Sequence, residues 1–444
     1  MRLILKNFNL IDETTETTGN VIIENGIISA IEPKDTNTGK SSGRGEAFTI
    51  DGSCLLSSKK LPLLMPSFVD LHAHFRDPGS MESEAPLPSE VLESASLSAA
   101  AGGFTTVVCM ANTKPAIDTI EKASALKRSS DNLGLIDLYP VLCLSKKMEG
   151  KELSEIIKLS AGGAYIPLML SEDGKDPEDD DLFFAAMKEA KRLGIPISCH
   201  CDLGGNEASA IRRAISLGIK AGCHIHIAHV STKESIEFIR QTKAEILSGA
   251  GENGFKLTCE VMPHHLCLTE KDAKILGETT YGRVNPPLST ETDRKALIGA
   301  VADGVFNAIA TDHAPHSKKQ KEAGAPGFSG FETAFAAVYS ELVLGNDSGA
   351  IGLKRLSSLM SAQPAKLLGF GENPGNGSKK RGLLAPGYRA DLVIIDTEMP
   401  WIADPLAFIS RGKNSPFAGR KLHGKILMTL NSGRVVYSSR SLNR

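Results

Sequence analysis

The chain has 444 residues, 41% of them hydrophobic, and its 50 Lys and Arg residues nearly balance 52 Asp and Glu residues for a net charge of −2. This balance, without a basic stripe, argues against nucleic acid or a membrane surface as the main partner. No uncharged apolar stretch approaches the roughly 18 residues that a membrane span requires.

The β texture of the N-terminal segment comes first along the chain. Runs typical of short strands occupy 2–11 and 20–31, and Asn25-Gly26 inside the second run is typical of a tight hairpin turn. The segment turns polar at Lys6, too early for the apolar part of a secretion signal.

Residues 61–382 have a different pattern, in which strand runs of the buried type alternate with helical patterns such as 178–193 and 232–247. The predicted strands are 63–72, 105–111, 137–144, 164–171, 196–201, 224–230, 256–262 and 306–312. Eight strands with helices between them predict an α/β fold, a (β/α)8 TIM barrel.

The C-terminal segment returns to β texture after residue 383, with a predicted closing hairpin at 425–430 and 433–437. Neither end of the chain is long enough for a convincing core of its own. We therefore predict that 1–60 and 383–444 combine in one small composite β-sandwich domain beside the barrel.

The eight cysteines are scattered, without a Cys-x-x-Cys pair. Several, such as Cys109, Cys143 and Cys259, lie in apolar runs. Buried, reduced thiols are the simplest interpretation, because the cytoplasm keeps cysteines reduced. We therefore expect a cytoplasmic protein.

His72 and His74 stand two residues apart at the end of the first predicted barrel strand. Alternate side chains of a strand point to the same face, so both imidazoles can reach one ion. Barrel enzymes carry their catalytic residues at the C-terminal ends of the strands. The pair therefore predicts a catalytic metal site at that end of the barrel.

Four more residues of the metal-binding types follow other predicted strands: Asp173, His200, His229 and Asp312. Taken singly, a histidine at a strand end is more often a hydrogen-bonded loop residue than a ligand. The turn that contains Asp173 is also an ordinary one. Four histidines and two aspartates at one end of one barrel are much harder to attribute to chance.

Four neutral imidazoles and two carboxylates suit borderline divalent ions, with zinc favoured. Six ligands are too many for one tetrahedral ion, so we predict two Zn2+ ions. We assign His72, His74 and Asp312 to one ion, His200 and His229 to the other, and Asp173 as the bridge between them.

Such a site supports hydrolysis. Metal binding lowers the pKa of water from about 15.7 to about 7, and the same ions polarise a carbonyl oxygen. Asp312 can take a proton from the water and pass it to a leaving nitrogen, first as general base and then as general acid. The predicted reaction is metal-assisted hydrolysis of an amide-like bond, or its reverse.

Polar residues near the predicted mouth describe the substrate. Arg76 can hold a carboxylate through two hydrogen bonds, although a surface ion pair with Asp77 or Glu82 is the simpler alternative. Asn112 and His316 can add directional hydrogen bonds to the same anion. We expect a small, anionic substrate that contains an amide.

Other residues carry weaker signals. We interpret His224 and His226 as residues that fill the barrel or support the site, and we favour a surface loop for His264 and His265. The polar stretch 317–327 is either a mobile flap over the pocket or a solvated connecting loop.

Five motifs carry a resemblance to known proteins: Asp70-Leu71-His72-Ala73-His74-Phe75-Arg76-Asp77-Pro78-Gly79, Ala101-Gly102-Gly103-Phe104-Thr105-Thr106-Val107, His229-Val230-Ser231-Thr232, Arg283-Val284-Asn285-Pro286-Pro287-Leu288 and Ala310-Thr311-Asp312-His313-Ala314-Pro315-His316. They resemble the amidohydrolase superfamily and, within it, most closely the type I dihydroorotases. The resemblance covers nearly the whole chain.

The resemblance implies reversible interconversion of dihydroorotate and N-carbamoyl-L-aspartate in pyrimidine biosynthesis, at a two-metal site with Asp312 as proton shuttle. It also implies the substrate contacts, some of which the residues alone do not suggest. The candidate contacts are His74, Arg76, Asn112, Asn285, His316 and the flap backbone at Pro326 and Gly327.

Two alternatives stay open at this point. Hydantoinases and allantoinases bridge their metals with a carboxylated lysine at the end of strand 4, whereas here Asp173 holds that place and Glu172 is a less favoured bridge. The other alternative is a non-catalytic scaffold for aspartate transcarbamoylase. A homodimer and an aspartate transcarbamoylase partner both remain open for an active enzyme.

Overall fold

The computed structural model describes residues 2–34, 47–58, 60–77, 90–160, 165–250, 254–345, 349–374 and 378–439. The strands in chain order are β1 (Arg2–Ile11), β2 (Glu16–Glu24), β3 (Ile27–Pro33), β4 (Ala47–Asp51), β5 (Leu63–Pro66), β6 (Phe68–Ala73), β7 (Phe104–Cys109), β8 (Asp137–Pro140), β9 (Leu170–Ser171), β10 (Ile197–Cys199), β11 (His224–Ile227), β12 (Lys256–Val261), β13 (Ala308–Ile309), β14 (Leu392–Asp396), β15 (Trp401–Ile402), β16 (Lys421–Leu422), β17 (Lys425–Asn431) and β18 (Arg434–Ser438).

The α-helices of the described residues differ in length, since the first five and the eighth have ten or more residues and the others have five to seven. They are α1 (Leu92–Ala101), α2 (Ile120–Leu133), α3 (Asp180–Leu193), α4 (Glu207–Ala221), α5 (Lys233–Glu245), α6 (Pro263–Cys267), α7 (Glu270–Leu276), α8 (Glu291–Ala302), α9 (Lys318–Glu322), α10 (Ala334–Val338), α11 (Leu353–Ser357) and α12 (Gln363–Leu367).

Both ends of the chain build one sheet, in the order β18-β17-β14-β5-β1-β2-β3. The predicted turn between β2 and β3 is present, and Asn25 and Gly26 both have positive φ, as a tight hairpin requires. One edge of β1 pairs with β2. The other edge pairs with β4 along its first half and with β5 near its end. Since β5 in turn pairs with β14, the two chain ends form a single layer of strands.

The single strand predicted over 63–72 was wrong, because the structure has two strands there. β5 pairs with β14 in the terminal sheet, and only β6 belongs to the barrel. Pro66 ends β5, since it has no amide hydrogen for a ladder. The amide of Ser67 then donates to Asp391 O, whereas that of Phe68 donates to a barrel carbonyl, each at 2.9 Å. The first four predicted residues therefore lie in the terminal sheet.

Eight parallel strands of the described residues close into the barrel. β6 to β8 form one run and β9 to β13 form another. Parallel bridges join the runs at both seams, Leu142 with Leu170 and Ala73 with His313. The amide of His74 also donates to His313 O across the second seam at 2.8 Å. The predicted TIM barrel is confirmed, and its strand ends share one rim.

Two barrel strands are much shorter than predicted. The run 164–171 contributes only β9, and the run 306–312 contributes only β13. Residue 164 lies outside the described residues. In the second run the backbone leaves the extended conformation at Asp312, where φ is +46°. A left-handed residue cannot continue a regular ladder, and after β13 this segment pairs through isolated bridges at His313.

Helix α3 shows how local sequence fixes the elements around the barrel, and it closely follows the predicted 178–193. The Asp179 carboxylate caps the first turn by accepting from two backbone amides. Lys191 and Arg192 lie in the last turn, where positive charge is favourable. Gly194 ends the helix in the left-handed conformation that glycine adopts readily.

Strand β14 belongs to two cores at once. Leu392 and Ile394 face the core of the terminal sheet, whereas Val393 and Ile395 pack into the barrel core. All four are fully buried, because successive side chains point to opposite faces and both faces are covered.

The described helices include none with both the length and the apolarity needed to cross a membrane. All eight cysteines are free, and Cys109, Cys143 and Cys259 are buried as expected. Burial raises the pKa of Cys109 to about 12, which keeps its thiol protonated and unreactive.

Candidate active site

Six predicted metal ligands converge at one rim of the barrel. All six side chains are buried. They come from the ends of five different strands, which the closed sheet brings side by side although they are far apart in sequence. They are His72, His74, Asp173, His200, His229 and Asp312.

Asp173 lies at the centre of the group. Its Oδ1 is 3.0 Å from His72 Nε2 and 3.9 Å from His229 Nε2, and its Oδ2 is 3.5 Å from His74 Nε2. Glu172 turns away, because its carboxylate accepts hydrogen bonds from the amides of Leu144 and Ser145. Asp173 is therefore the residue of this turn that faces the histidines, as predicted for a bridge.

Asp312 lies beside the two histidines of the first strand. Its Oδ1 is 3.1 Å from His74 Nε2 and 3.7 Å from His72 Nε2. Ligand atoms about 2 Å from one metal ion lie about 3 to 3.5 Å from one another. The spacing of these three residues is therefore that of a shared coordination shell.

His200 and His229 pack edge to face, with ring centroids 4.4 Å apart. The end of β10 is held by Asp176, whose carboxylate accepts from the backbone amides of His200 and Cys201 at 3.1 and 2.8 Å. This clamp fixes the turn from which the His200 ring projects toward His229.

Three site residues have left-handed backbone conformations that side chains other than glycine rarely adopt. φ is +57° at Arg76, +32° at His229 and +46° at Asp312. Such strain persists only where the surrounding structure enforces it, and it concentrates at functional sites. Here it turns side chains at three strand ends into the mouth of the barrel.

Neighbouring side chains fix which imidazole nitrogen faces the centre. His72 Nδ1 donates to Glu260 Oε1 at 3.0 Å, and His74 Nδ1 donates to Asn112 Oδ1 at 2.9 Å. Both Nε2 atoms therefore turn toward the aspartates. This arrangement is typical of metal-binding histidines, whose outer nitrogen is held by a hydrogen-bond acceptor.

The electrostatics of the site reflect the closely spaced acids and bases. Burial alone would lower the pKa of His72, but the carboxylates of Asp173 and Glu260 raise it well above its usual value. Burial would likewise raise the pKa of Asp173, but the histidines lower it well below its usual value. Burial and the neighbouring His200 hold the pKa of His229 well below its usual range. The site therefore combines a neutral imidazole with a fixed carboxylate charge.

The residues present fit a divalent metal. Within the described residues, His72 Nε2, His200 Nδ1 and both ring nitrogens of His229 are buried without a hydrogen-bond partner. Leaving such atoms unpaired costs free energy, which a bound cation would offset. Two sets of ligand atoms each lie within 4.8 Å of one another. They are His72, Asp173 and His229, and His72, His74 and Asp312.

This grouping differs in part from the predicted assignment. His72 belongs to both sets, because its Nε2 lies between the two aspartates. His200, which we paired with His229, is outside the sets and joins the cluster through its ring contact with His229.

A cavity of about 720 Å³ opens onto the cluster. Its size is typical of small-molecule sites. The candidate substrate contacts all line it, namely His74, Arg76, Asn112, Asn285, His316, Pro326 and Gly327. They come from four separate regions of the chain, at 74–76, 112, 285 and 316–327, which the fold brings to one surface.

Some of these residues already form hydrogen bonds with other side chains of the protein. The Asn112 amide bridges His74 and Asp173, donating to Asp173 Oδ2 at 3.1 Å. Asn285 donates to Asp202 Oδ2 at 2.7 Å. The Asn112 side chain therefore holds two predicted metal ligands in place as well as facing the cavity.

Arg76 and His316 form a pair on one wall of the cavity. The guanidinium lies 3.3 Å from His316 Nε2, and that nitrogen is 2.7 Å from Pro326 O, to which it donates. Burial, with the charge of Arg76, lowers the pKa of His316 to about 3. His316 is therefore neutral at physiological pH, and Arg76 supplies the positive charge for an anion.

The surface loop predicted for His264 and His265 was wrong. Both are buried in α6, and His265 Nε2 donates to Pro286 O at 3.1 Å. Pro263 favours the start of a helix at this strand end. The two adjacent polar histidines suggested an exposed loop instead. His226 does support the site, because its Nε2 lies 3.2 Å from the Glu260 carboxylate.

Two residues near the site were missed from sequence. Glu260 contacts His72 from inside the barrel, and its position within the apolar run of β12 was the available signal. Lys321 is fully buried behind the cavity wall, although it lies in a stretch of polar composition that predicted solvent exposure.

Solved structures of similar fold support the architecture. The L-hydantoinase (dihydropyrimidinase) from Arthrobacter aurescens superposes with a TM-score of 0.80 over 100% of this chain and 97% of that chain, at 24% sequence identity. A D-hydantoinase superposes with a TM-score of 0.78 at 22% identity. At these identities the likeness shows the shared barrel with its β domain and nothing finer.

Sequence comparison goes further. The amidohydrolase family matches residues 63–436. Dihydroorotases from Clostridium botulinum, a Geobacillus species and Aquifex aeolicus are 33%, 35% and 34% identical, each over 98% of this chain and at least 99% of the relative. The chain therefore belongs to the amidohydrolase family, and within it to the group of its full-length dihydroorotase relatives.

Proposed function

We propose that the protein is a dihydroorotase, which hydrolyses the cyclic amide bond of (S)-dihydroorotate to N-carbamoyl-L-aspartate and catalyses the reverse ring closure. The observation that carries this proposal is the convergence of four histidines and two aspartates on a cavity whose other walls carry Arg76 and His316. The full-length similarity to dihydroorotases supports the same substrate.

The end of strand 4 favours this activity over that of a hydantoinase or allantoinase. The carboxylate that faces the histidines there belongs to Asp173, and Lys175 is exposed. A carboxylated lysine, which the resemblance associates with hydantoinases, has no counterpart at this place. The fixed charge of Arg76 on the cavity wall also suits a substrate that carries a carboxylate.

The metal centre is part of the proposal. Two Zn2+ ions are the expected cofactors, held by His72, His74, Asp173, His200, His229 and Asp312. When bound, such ions lower the pKa of water and polarise a carbonyl oxygen. Glu260 and Asn112 orient the two first-strand histidines for this task through their Nδ1 atoms.

Asp312 is the proposed acid and base. In hydrolysis it accepts a proton from the water that adds to the ring carbonyl carbon. The carbon–nitrogen bond of the ring then breaks, and Asp312 returns the proton to the departing nitrogen. In the reverse direction the same group removes a proton from nitrogen and releases water as the ring closes.

The substrate carboxylate is proposed to lie against Arg76, with Asn112, Asn285 and His316 as further contacts. A guanidinium offers two parallel donors to a carboxylate. Two such hydrogen bonds fix the orientation of the carboxylate and of the substrate ring that carries it. The backbone at Pro326 and Gly327 lines the cavity beside His316, which donates to Pro326 O. Orientation of a small rigid ring by several groups lowers the entropy cost of reaching the transition state.

The division of the chain belongs to the proposal too. We assign 61–382 to the barrel and the two ends to the β domain, with the strand at the start of this range shared with the terminal sheet. Eight free thiols suit a reducing compartment, so we place the protein in the cytoplasm, in pyrimidine biosynthesis. A homodimer and an aspartate transcarbamoylase complex are the partners to test.

The direct test measures metal content and turnover on the same preparation. The purified protein is expected to contain zinc and to interconvert dihydroorotate and N-carbamoyl-L-aspartate, with hydantoin and allantoin turned over far more slowly. Faster turnover of hydantoin or allantoin would reject dihydroorotase in favour of those activities. A protein that binds neither metal nor dihydroorotate would favour the non-catalytic scaffold.

A further inference from the structure

Lys321 is fully buried, lies outside the cluster of proposed metal ligands and forms no ion pair with a carboxylate of the described residues. Its Nζ donates to three backbone carbonyls, Arg283 O at 2.9 Å, Ala325 O at 2.9 Å and Gly327 O at 3.0 Å. An ammonium group has three hydrogens, so every donor is satisfied. Burying a charge in this way is unfavourable unless all its hydrogen bonds are made.

The three carbonyls belong to the two loops that form one wall of the cavity. Arg283 lies two residues before Asn285, and Ala325 and Gly327 flank Pro326. Asn285 and Pro326 line the cavity of about 720 Å³ on one side and a second cavity of about 440 Å³ on the other. The wall at these two residues therefore has open space on both faces.

A backbone hydrogen bond joins these two loops, from Gly327 N to Arg283 O at 3.0 Å. From outside them, Asn414 Nδ2 donates to Gly327 O at 2.9 Å. Lys321 links both loops through a single side chain. Its Nζ also lies over the ring of Phe328, 5.4 Å from the ring centroid.

We propose that Lys321 is a positioning residue that holds Asn285 and the Pro326–Gly327 backbone at the distance the substrate requires. The inference rests on the proposed dihydroorotase activity and deepens it, because it adds a residue that never touches the substrate. Its effect falls on substrate binding more than on the chemical step, since Asp312 and the histidines lie on other elements.

The ammonium charge is part of this role. Burial lowers the pKa of Lys321 to about 8, and the charge of Arg283 adds to the effect. The charge of Lys321 also acts on His316, whose pKa is lowered to about 3, so that His316 is neutral at physiological pH. Above pH 8 the neutral amine keeps only two hydrogens, so one of the three carbonyls loses its donor.

The test compares Lys321→Met with Lys319→Met, which removes an exposed lysine from the same helix. For Lys321→Met we expect KM for dihydroorotate to rise about tenfold, kcat to change less than about threefold and zinc content to stay unchanged. We expect Lys319→Met to match the wild type. The KM of the wild type should also rise between pH 7.5 and 9, a rise absent from Lys321→Met.

Hydrogen exchange of 283–287 and 323–328 supplies a readout that does not depend on turnover. Faster exchange in Lys321→Met than in Lys319→Met supports the proposal, even if the wild type fails to turn over dihydroorotate. Equal exchange, or a loss of kcat without a rise in KM, overturns it. If Lys321→Met does not fold, the pH dependence of KM in the wild type is the test. A wild-type KM that does not change from pH 7.5 to 9 overturns the proposal.

Discussion

His72, a proposed metal ligand, forms a buried hydrogen bond of 3.0 Å with Glu260 in the interior of the barrel. Glu260 is completely buried and also lies 3.2 Å from His226. The two histidines together lower the pKa of Glu260 to about 2 despite its burial. The carboxylate is therefore ionised at any working pH, and it directs the Nε2 atom of His72 toward Asp173.

The first prediction concerns this contact. Glu260→Gln retains the shape of the side chain but removes its charge, so His72 Nδ1 loses its ionised acceptor and faces a neutral amide that can either accept or donate. We expect metal affinity to fall about 10- to 100-fold, as for other residues that orient metal ligands. Competition with a chelator measures this directly. Glu237→Gln, on the exposed face of α5, is the control, and equal affinities in the two variants would contradict the role of Glu260.

Asp312→Asn tests the proton shuttle. An amide oxygen can still face the histidines, but the side chain can no longer accept a proton. We expect kcat to fall by about two to four orders of magnitude with the thermal stability of the protein retained. Zinc content must be measured alongside. Turnover close to that of the wild type at full zinc occupancy would remove Asp312 from the mechanism.

Arg76→Lys separates geometry from charge at the substrate carboxylate. Lysine keeps the positive charge but cannot present two parallel donors. We expect KM to rise about tenfold, with a smaller change in kcat. Arg128→Lys, an exposed position on α2, is the matched control. An unchanged KM would place the substrate carboxylate elsewhere in the cavity.

The pH dependence of stability offers a test away from the site. Burial, with the charges of His226 and two lysines, lowers the pKa of His224 to about 4. Between pH 6.5 and 4 the unfolded chain binds this proton and the folded chain does not, so stability falls as the pH falls. We expect His224 to contribute about 1 kcal/mol of the stability lost between pH 7 and 5, after discounting for its partial exposure.

Urea unfolding of the wild type and of His224→Gln at both pH values checks this expectation. The variant should lose less stability on acidification than the wild type. An identical loss in the two proteins would show that His224 takes up its proton in the folded state.

The barrel and the six residues at its rim could be predicted from sequence because each signal is local. An apolar run followed by a ligand-type side chain is visible without knowing which strands are neighbours. Closure of the sheet then places all such ends on one rim, so the convergence follows from the fold class. His200 and His229 were identified in this way from single strand ends.

Lys321 and Glu260 could not be predicted by the same argument. The burial of Lys321 depends on carbonyls at Arg283 and Gly327, and its polar neighbours conceal those contacts. Glu260 is a polar residue within a strand. Whether its side chain points into the barrel or out of it depends on the register of the closed sheet. Such residues are found through their partners, which local patterns do not contain.

The break at Ser67 was missed for a related reason. A continuous apolar run is typical of one buried strand, and nothing local reveals that its first half pairs with β14, from the far end of the chain. Pro66 was the available clue, since proline interrupts a ladder.

The pairing of β5 with β14 has a consequence for biosynthesis. During synthesis, the edge of β5 that pairs with β14 stays unpaired until nearly the whole polypeptide has left the ribosome. An unpaired strand edge can form hydrogen bonds with other chains and so promote aggregation. We therefore expect nascent molecules truncated before Leu392 to aggregate, and the first barrel strand, which directly follows β5, to become correctly seated only at the end of translation.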